Sequence, residues 1–410
     1  MSIQVTSEVG KLRGVITHTP GREVSLVTPE IKDKLLFDDI IFEEDARNEH
    51  IQMLQVIKTA LPDVSIIEVA DLFLESFQIS DAREYFIERL IENFPEGNIH
   101  PVKKELLNLE PESLVRFGIQ GQTPEMGKFK LYPIPNLLFT RDLAAVVGTN
   151  VVISRAAMRA RVRESYMMDA VVRYHPMYES VRDQVIRISK EDSIEGGDIL
   201  TASDGLVIIG MSERTSFSGV MRAGKNLLAK GMEQVLIVDI PKQRASMHLD
   251  TIFTFCDVDQ CVVYPPAIID RSENVVSLRK NGEQVISELK PSLKLALEES
   301  LGRPFTFIKC GGDDKVAQQR EQWSDGANHF ALAPGVVIGY ERNIATFQEM
   351  EKYGYEIVPG REFIRKYSDG SFDISKAGKM VITFEGNELC RGRGGARCMT
   401  QPFLRDSLPA

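Results

Sequence analysis

Residues 205–230 read GLVIIGMSERTSFSGVMRAGKNLLAK, and the fold class turns on this stretch. The run LVIIGM is short, apolar and opened by glycine, which is the pattern of a buried strand. A polar turn, SERTS, follows it. From Ser216 to Lys230 apolar residues return at helical spacing, so the chain leaves the turn as an amphipathic helix. Strand, polar turn and helix in succession make the building unit of an α/β protein.

The same pattern returns along the chain. It is clear in Gly14-VIT-His18, Asn150-VVIS-Arg155 and Gly335-VVIGYERNIAT, and weaker in Cys261-VVYP and Lys379-MVITF. Amphipathic helical stretches are predicted at 46–61, 216–230 and 283–299, the last ending near Gly302. Ile194-EGGD-Ile199 is echoed by Lys309-CGGDD-Lys315, a second hint of repetition. About five or six such units suggest a repeated α/β architecture closed on itself. An open α/β sheet would also give strands that look alike, so the pattern leaves both open.

From Asp71 to about Lys128 the strand signal stops. Three helical pieces stand there instead: SDAREYFIERLIENF with Ser80 as N-cap, PVKKELLNL with Pro101 at its start, and PESLVRFGI, also opened by proline. This predicts a helical insertion, 71–128, in an α/β body formed by 1–70 and 129–410.

The balance of 59 acidic against 49 basic residues, net charge -10, argues against nucleic acid or an anionic membrane as partner. No apolar run approaches the roughly 20 residues of a spanning helix. The opening MSIQVTSEVGK lacks the basic and apolar regions of a secretion signal, and the five cysteines have no CxxC spacing. A reducing compartment, the cytoplasm, is the expectation. Nucleotide-binding glycine motifs in the right context are missing too.

The candidate chemistry lies in polar clusters: Asn136-LLFTRD, Glu195-GGD, Ser212-ERTS, His248-LD and the loop CRGRGGARCMTQP at 390–402. In an extended segment His248 and Asp250 would point the same way. Cys398 sits beside glycines and arginines, which a reactive thiolate needs. Cys390, Cys256, Cys261 and Cys310 read as packed apolar residues.

FTRD, EGGD, SERTS, MHLD, REQWSDGAN, LAPGVVIGYERN and GRGGARCMT, in this order and spacing, closely resemble the bacterial arginine deiminase family. The match runs from VGKLRGVITHTPGRE to the end of the chain. The resemblance implies a five-bladed, pseudo-symmetric α/β propeller of ββαβ units with a helical insertion. It implies hydrolysis of free L-arginine to L-citrulline and ammonia without metal or organic cofactor. By position it makes Cys398 the nucleophile, His248 the general acid/base and Glu195 its orienting carboxylate, with Asp142 and Asp250 gripping the guanidinium. Asn136, Phe139, Arg161, Arg214, Gly392 and Arg393 would contact the rest of the substrate. For Arg141 and Arg397 a structural ion pair and a substrate contact both remain open, and Asp198 reads as a turn cap. A homo-oligomer, dimer or tetramer, is implied as well. The rival on the same fold is a dimethylarginine hydrolase or an amidinotransferase; a non-catalytic arginine-binding protein is the rival from another class. Leu143 after FTRD and Gln401 after CMT depart from the family's usual proline and methionine.

Overall fold

The computed structural model describes residues 2–92 and 99–408. Its strands in chain order are β1 (Leu12–Thr17), β2 (Ser65–Glu68), β3 (Ala144–Val147), β4 (Asn150–Ile153), β5 (Val185–Ile186), β6 (Ile199–Thr201), β7 (Leu206–Met211), β8 (Gln234–Asp239) and β9 (Phe253–Asp257). They continue as β10 (Gln260–Val263), β11 (Val275–Asn281), β12 (Gln284–Lys290), β13 (Thr306–Lys309), β14 (Phe330–Ala333), β15 (Val336–Tyr340), β16 (Glu356–Pro359), β17 (Met380–Phe384) and β18 (Gln401–Arg405).

Among the described residues these form five small mixed sheets with one repeated plan. A first strand pairs antiparallel with a second; a helix follows; a later strand pairs parallel with the second. The plan is met by β3-β4-β5, β6-β7-β8, β9-β10-β13 and β14-β15-β17. The remaining sheet draws its first strand from the far end of the chain: β18 pairs antiparallel with β1, and β1 parallel with β2. First strands also pack on one another, β18 on β3, β3 on β6, and β9 on β14. The sheet edge beyond β8 carries the hairpin β11–β12, and β16 lies outside β17.

The opening stretch illustrates why these residues take this form. Every residue of β7 but Met211 is buried, because both faces of the strand are covered. Ser216 then caps the helix Phe217–Ala229, its Oγ accepting from the Gly219 N–H at 3.1 Å. The buried face of that helix, Val220, Ala223, Leu227 and Leu228, packs with Val207, Ile209 and Val235 in one apolar cluster.

One predicted helix is corrected. The first half of 283–299 is the strand β12, paired with β11 through a turn at Gly282 and Glu283, and the helix is confined to Leu293–Leu301. Pro291 has no N–H to carry a helix through, and Ser292 starts a new one by capping Leu295 N. The GGD echo is also not a positional repeat. Gly196–Asp198 precede strand β6, whereas Gly311–Asp313 follow β13.

Among the described residues the strand-poor region holds four helices, Val69–Phe77, Ser80–Glu92, Ile99–Leu107 and Pro111–Gln120. The first of these was not predicted. Asn93 and Phe94, the predicted last residues of the second, lie outside the described residues. The third starts two residues before Pro101, which the first turn of a helix tolerates. These helices share a core with β1, β3, β4 and the helix Val162–Tyr174. Among the described residues no helix is long and apolar enough to cross a membrane.

Gln401 opens β18 with its side chain fully buried and neither amide atom hydrogen-bonded. An orphaned buried amide costs about 1–3 kcal/mol, and methionine is close in volume. Gln401→Met is therefore expected to stabilise the fold by about that amount, read as a rise in the denaturation midpoint with an unchanged urea m-value.

Candidate active site

The repeated plan places the polar clusters. Each sheet's first strand is led in by one of them: 135–143 before β3, 195–198 before β6, 248–252 before β9, 325–329 before β14 and 393–400 before β18. Hydrogen bonds tie these turns to each other. The Arg141 N–H donates to the Cys398 carbonyl at 3.0 Å, and the Cys398 N–H to Asn328 Oδ1 at 3.0 Å. Asn328 Nδ2 donates to the Asp250 carbonyl at 2.8 Å, and the Leu249 N–H to Asp198 Oδ1 at 2.8 Å.

Asp198 is thus a clamp between turns, its other oxygen accepting from Ser212 and Thr215 hydroxyls at 2.6 Å each. It also bends the segment predicted to be extended. Held by the Leu249 N–H bond, Leu249–Thr251 form a tight helical turn, from which His248 and Asp250 still reach the site.

The turns enclose a small buried pocket of about 10 Å³ lined by Asn136, Phe139, Asp142, Arg161, Arg214, His248, Gly392, Arg393 and Cys398, with Arg244 and Met247. That is room for about one water. Glu195 and Asp250 stand just behind it. All eleven residues expected at the site therefore meet in one place.

Inside, charges are packed densely. His248 Nε2 lies 2.9 Å from Glu195 Oε2, and its Nδ1 3.5 Å from Asp142 Oδ1. Burial pulls the imidazole pKa down, but the Asp142 charge and the Glu195 hydrogen bond outweigh it and carry it to about 9. Burial likewise pushes Glu195 up, and His248 with Arg161 brings it to about 2. The pair is an imidazolium and a carboxylate at neutral pH. A Cβ on Gly197 would stand 2.8 Å from both Asp142 Oδ1 and the His248 ring, so only glycine lets this backbone pass so close.

Cys398 Sγ lies 3.8 Å from each Asp250 oxygen. Burial first, then Asp250, Asp142 and Asp325, raise its pKa well above that of an ordinary thiol. Asp250 is held from behind by Arg397 Nη1 at 2.7 Å, and Arg397 also forks onto Glu8 with two bonds of 3.0 Å. This settles Arg397 as a structural ion pair. Arg141 is buried, with its cation over the Phe330 ring and its Nε directed at the Arg397 carbonyl.

Arg161 is fully engaged. It donates to Asp142 at 2.6 Å and to Glu164 through Nε and Nη2 at 3.0 and 2.8 Å, with Glu195 3.5 Å away. Asp142, Glu195 and His248 have the spacing of a cation site, each bringing one ligand atom within 4.8 Å of the others. The cation placed against these two carboxylates is the Arg161 guanidinium. Arg393 adopts a left-handed backbone (φ 67) and lays its guanidinium 3.4 Å from the Trp323 ring centroid. Asn136 Nδ2 donates to the Leu35 carbonyl at 2.6 Å.

Sequence reasoning missed Glu8, Glu164, Arg244, Trp323, Asp325 and Asn328. Asp325 is driven by burial to about 7, with Arg393 pulling the other way. Trp323, Asp325 and Asn328 were present in the motif REQWSDGAN without an assigned task. Glu8 carried no local signal, since it meets Arg397 from almost the whole length of the chain away.

The chain is similar in fold to solved structures that include a DDAH and an amidinotransferase. DDAH from Pseudomonas aeruginosa complexed with citrulline aligns with a TM-score of 0.53 at 16% identity, covering 96% of this chain and all of that one. SxtG, an amidinotransferase from Microseira wollei, aligns at 0.57 and 12%, covering 99% and 98%. These likenesses give the α/β fold class. The family model for arginine deiminase matches residues 118–405. Arginine deiminases of Latilactobacillus sakei and Bacillus cereus are 32% and 34% identical over 99% of this chain, and over 98% and 99% of their own lengths. The chain belongs to the arginine deiminase family.

Three outcomes test the electrostatics. Glu195→Gln is expected to lower the His248 pKa by about one unit or more, seen in the imidazole resonances, because a charged hydrogen-bond partner is lost. In the wild type the raised imidazole stabilises the fold fully below about pH 6.5, and that contribution disappears as pH rises through about 9. Arg397→Ala strands Glu8 and Asp250 as buried unpaired acids and is expected to cost about 3–5 kcal/mol in chemical denaturation.

Proposed function

We propose that the chain hydrolyses free L-arginine to L-citrulline and ammonia, with Cys398 as nucleophile. The observation that carries this reading is the position of the Cys398 sulfur beside Asp250, in one buried pocket with Asp142 and the His248–Glu195 pair. A guanidinium is a planar cation with N–H donors in fixed directions, and two carboxylates accept them in forked pairs. Asp142 and Asp250 are the pair that supports such a grip. It fixes the plane of the guanidinium, so that the thiolate attacks its central carbon from the face.

As the C–S bond forms, the central carbon becomes tetrahedral. The C–N bond to the departing nitrogen then breaks, and His248 as imidazolium gives that nitrogen the proton it needs to leave as ammonia. A thiouronium on Cys398 remains. The imidazole, now neutral, takes a proton from water as the water oxygen attacks the same carbon. The C–S bond breaks, and citrulline and the cysteine are released. Bound substrate also solves the thiol's problem. Its positive charge offsets the carboxylates that hold the thiol protonated in the empty site, so the thiol gives its proton to solvent as arginine binds and regains one from the water-derived hydroxyl when the C–S bond breaks.

The pocket is closed by its own side chains, so arginine needs an opening step. Arg161 rests on Asp142, the carboxylate the substrate's guanidinium would take. Displaced from there, Arg161 becomes available with Arg214 and Arg393 for the substrate's α-carboxylate. Asn136 and Gly392 would border that end, and Phe139 the aliphatic stem.

The five ββαβ sheets, with β18 packed on β3, β3 on β6 and β9 on β14, support a five-bladed propeller, and the helices between β2 and β3 support an inserted unit at about 71–128. We read the protein as cytoplasmic and homo-oligomeric.

Cys398→Ser is expected to abolish citrulline release while leaving the circular dichroism spectrum and denaturation midpoint intact. Wild-type turnover in that variant would overturn the mechanism. Arginine, methylated arginines and agmatine assayed in parallel separate the deiminase from its rivals, arginine being the substrate expected to turn over fastest. In the free enzyme, thiolate absorbance at 240 nm is expected to be absent near neutral pH; a thiolate fully formed well below neutrality would refute substrate-linked activation.

A further inference from the structure

The arginine-rich segment 155–163 is only partly used by the site. Arg161 turns inward, while Arg159 and Arg163, two residues to either side, line a separate cleft of about 860 Å³ between the helices and the α/β body. Lys34 and Lys130 face the same cleft, and among the described residues no aspartate or glutamate lines it. In a chain of net charge -10, a cleft whose described lining brings two lysines and Arg163 together without an acid is not a random sample of surface. Lys34 and Lys130 have no ion-pair partner among the described residues. Arg163 gives one N–H to the Tyr132 carbonyl, but its buried Nε has no partner, and burial lowers its pKa to about 10. A cation held partly desolvated with an unused donor is set up to meet an anion. Apart from Gln120 and Gln122 the rest of the wall is apolar or aromatic, including Tyr132, Tyr166 and Leu131, and the volume falls within the roughly 300–1,000 Å³ of small-molecule sites.

We propose that this cleft binds a multiply charged small organic anion, phosphate or carboxylate groups on a flat apolar body. Its cations hold the anionic groups, and the tyrosine and leucine wall covers the ring. The site is distinct from the catalytic pocket but shares a wall with it. Leu35 lines the cleft and gives its carbonyl to Asn136 of the pocket, and the turn Arg159–Arg161 carries one cation into each. Occupancy therefore acts on the KM for arginine through the position of Arg161.

The test is calorimetric titration of the full-length protein with ADP, adenosine, pyrophosphate and tricarballylate, on wild type and on the double variant Lys34→Glu/Lys130→Glu. Neither lysine belongs to the catalytic pocket, so arginine turnover without ligand is expected to be unchanged in the variant. ADP is expected to bind at least tenfold more tightly than adenosine, to weaken at least tenfold in the variant, and to shift the KM for arginine at least twofold in wild type only. Tricarballylate binding as tightly as ADP would identify carboxylates as the charged groups but overturn the requirement for a flat body, as would equal binding of pyrophosphate. Adenosine binding as tightly as ADP, or no binding of any anion, would overturn the site. A sedimentation profile in which the double variant loses a dimer that wild type forms would assign the cleft to a second copy of the chain and overturn it equally. An unchanged KM with ADP bound would overturn the coupling.

Discussion

Everything near Cys398 depends on how buried negative charge is balanced. Glu8, Asp142, Glu164, Glu195 and Asp250 are all removed from water within a few residues of one another, and only Arg161, Arg397 and the His248 imidazolium stand directly against them. The acids outnumber the cations in direct contact with them, and the imbalance appears as perturbed protonation. Burial holds Glu164 near 7 despite its two bonds from Arg161, raises Asp250, and keeps the Cys398 thiol protonated. Beside Cys398 itself, where Asp250, Asp142 and Asp325 act on the thiol, positive charge is what is missing. A guanidinium ligand supplies it, so binding and thiol activation draw on the same electrostatic deficit.

Holding that deficit in place requires a scaffold that cannot relax around it. The lead-in turns supply this, because each is anchored by its own sheet and bonded to a neighbouring turn. Cys398 is fixed from two sides, its carbonyl by Arg141 and its N–H by Asn328. The pairing of β18 with β1 brings the far end of the chain to its start, which is also how Glu8 reaches Arg397. A buried pair spanning nearly the whole chain thus holds its two ends together at the site.

Much of this was legible in the sequence, for definable reasons. Short apolar strands such as LVIIGM carry a strong local signal, and the polar clusters stood out because they interrupt it. The family motifs then pointed to residues that the fold brings together. What was not legible was set by tertiary context. The helix predicted at 283–299 failed because the mostly exposed strand β12 has little apolar pattern, and pairing with β11 decides its conformation. HLD was expected to be extended, but a carboxylate 51 residues upstream, Asp198, turns it. That Arg161 rather than Arg159 or Arg163 faces inward is set by Asp142 and Glu164 around it, which a run of alternate arginines does not reveal.

The two residues that depart from the family pattern show where variation is tolerated. Leu143 and Gln401 each stand where a lead-in turn gives way to its strand, and both are buried away from the pocket. Leu143 packs into the core beneath the helices, beside Ile16, Ala144 and Phe403 in the same cluster, and its carbonyl accepts the Ser154 N–H at 3.2 Å. Gln401 pairs with Ile16 across β1 and leaves its amide unbonded. The charged residues cannot drift this way, since each is balanced by a named partner and its loss strands that partner in low dielectric. A misfit on the core side costs a kcal/mol or so of stability, which a chain of this size absorbs. The chemistry is therefore insulated from sequence change by the thickness of one turn: the pocket face of each lead-in turn is held by charge, and its core face only by volume.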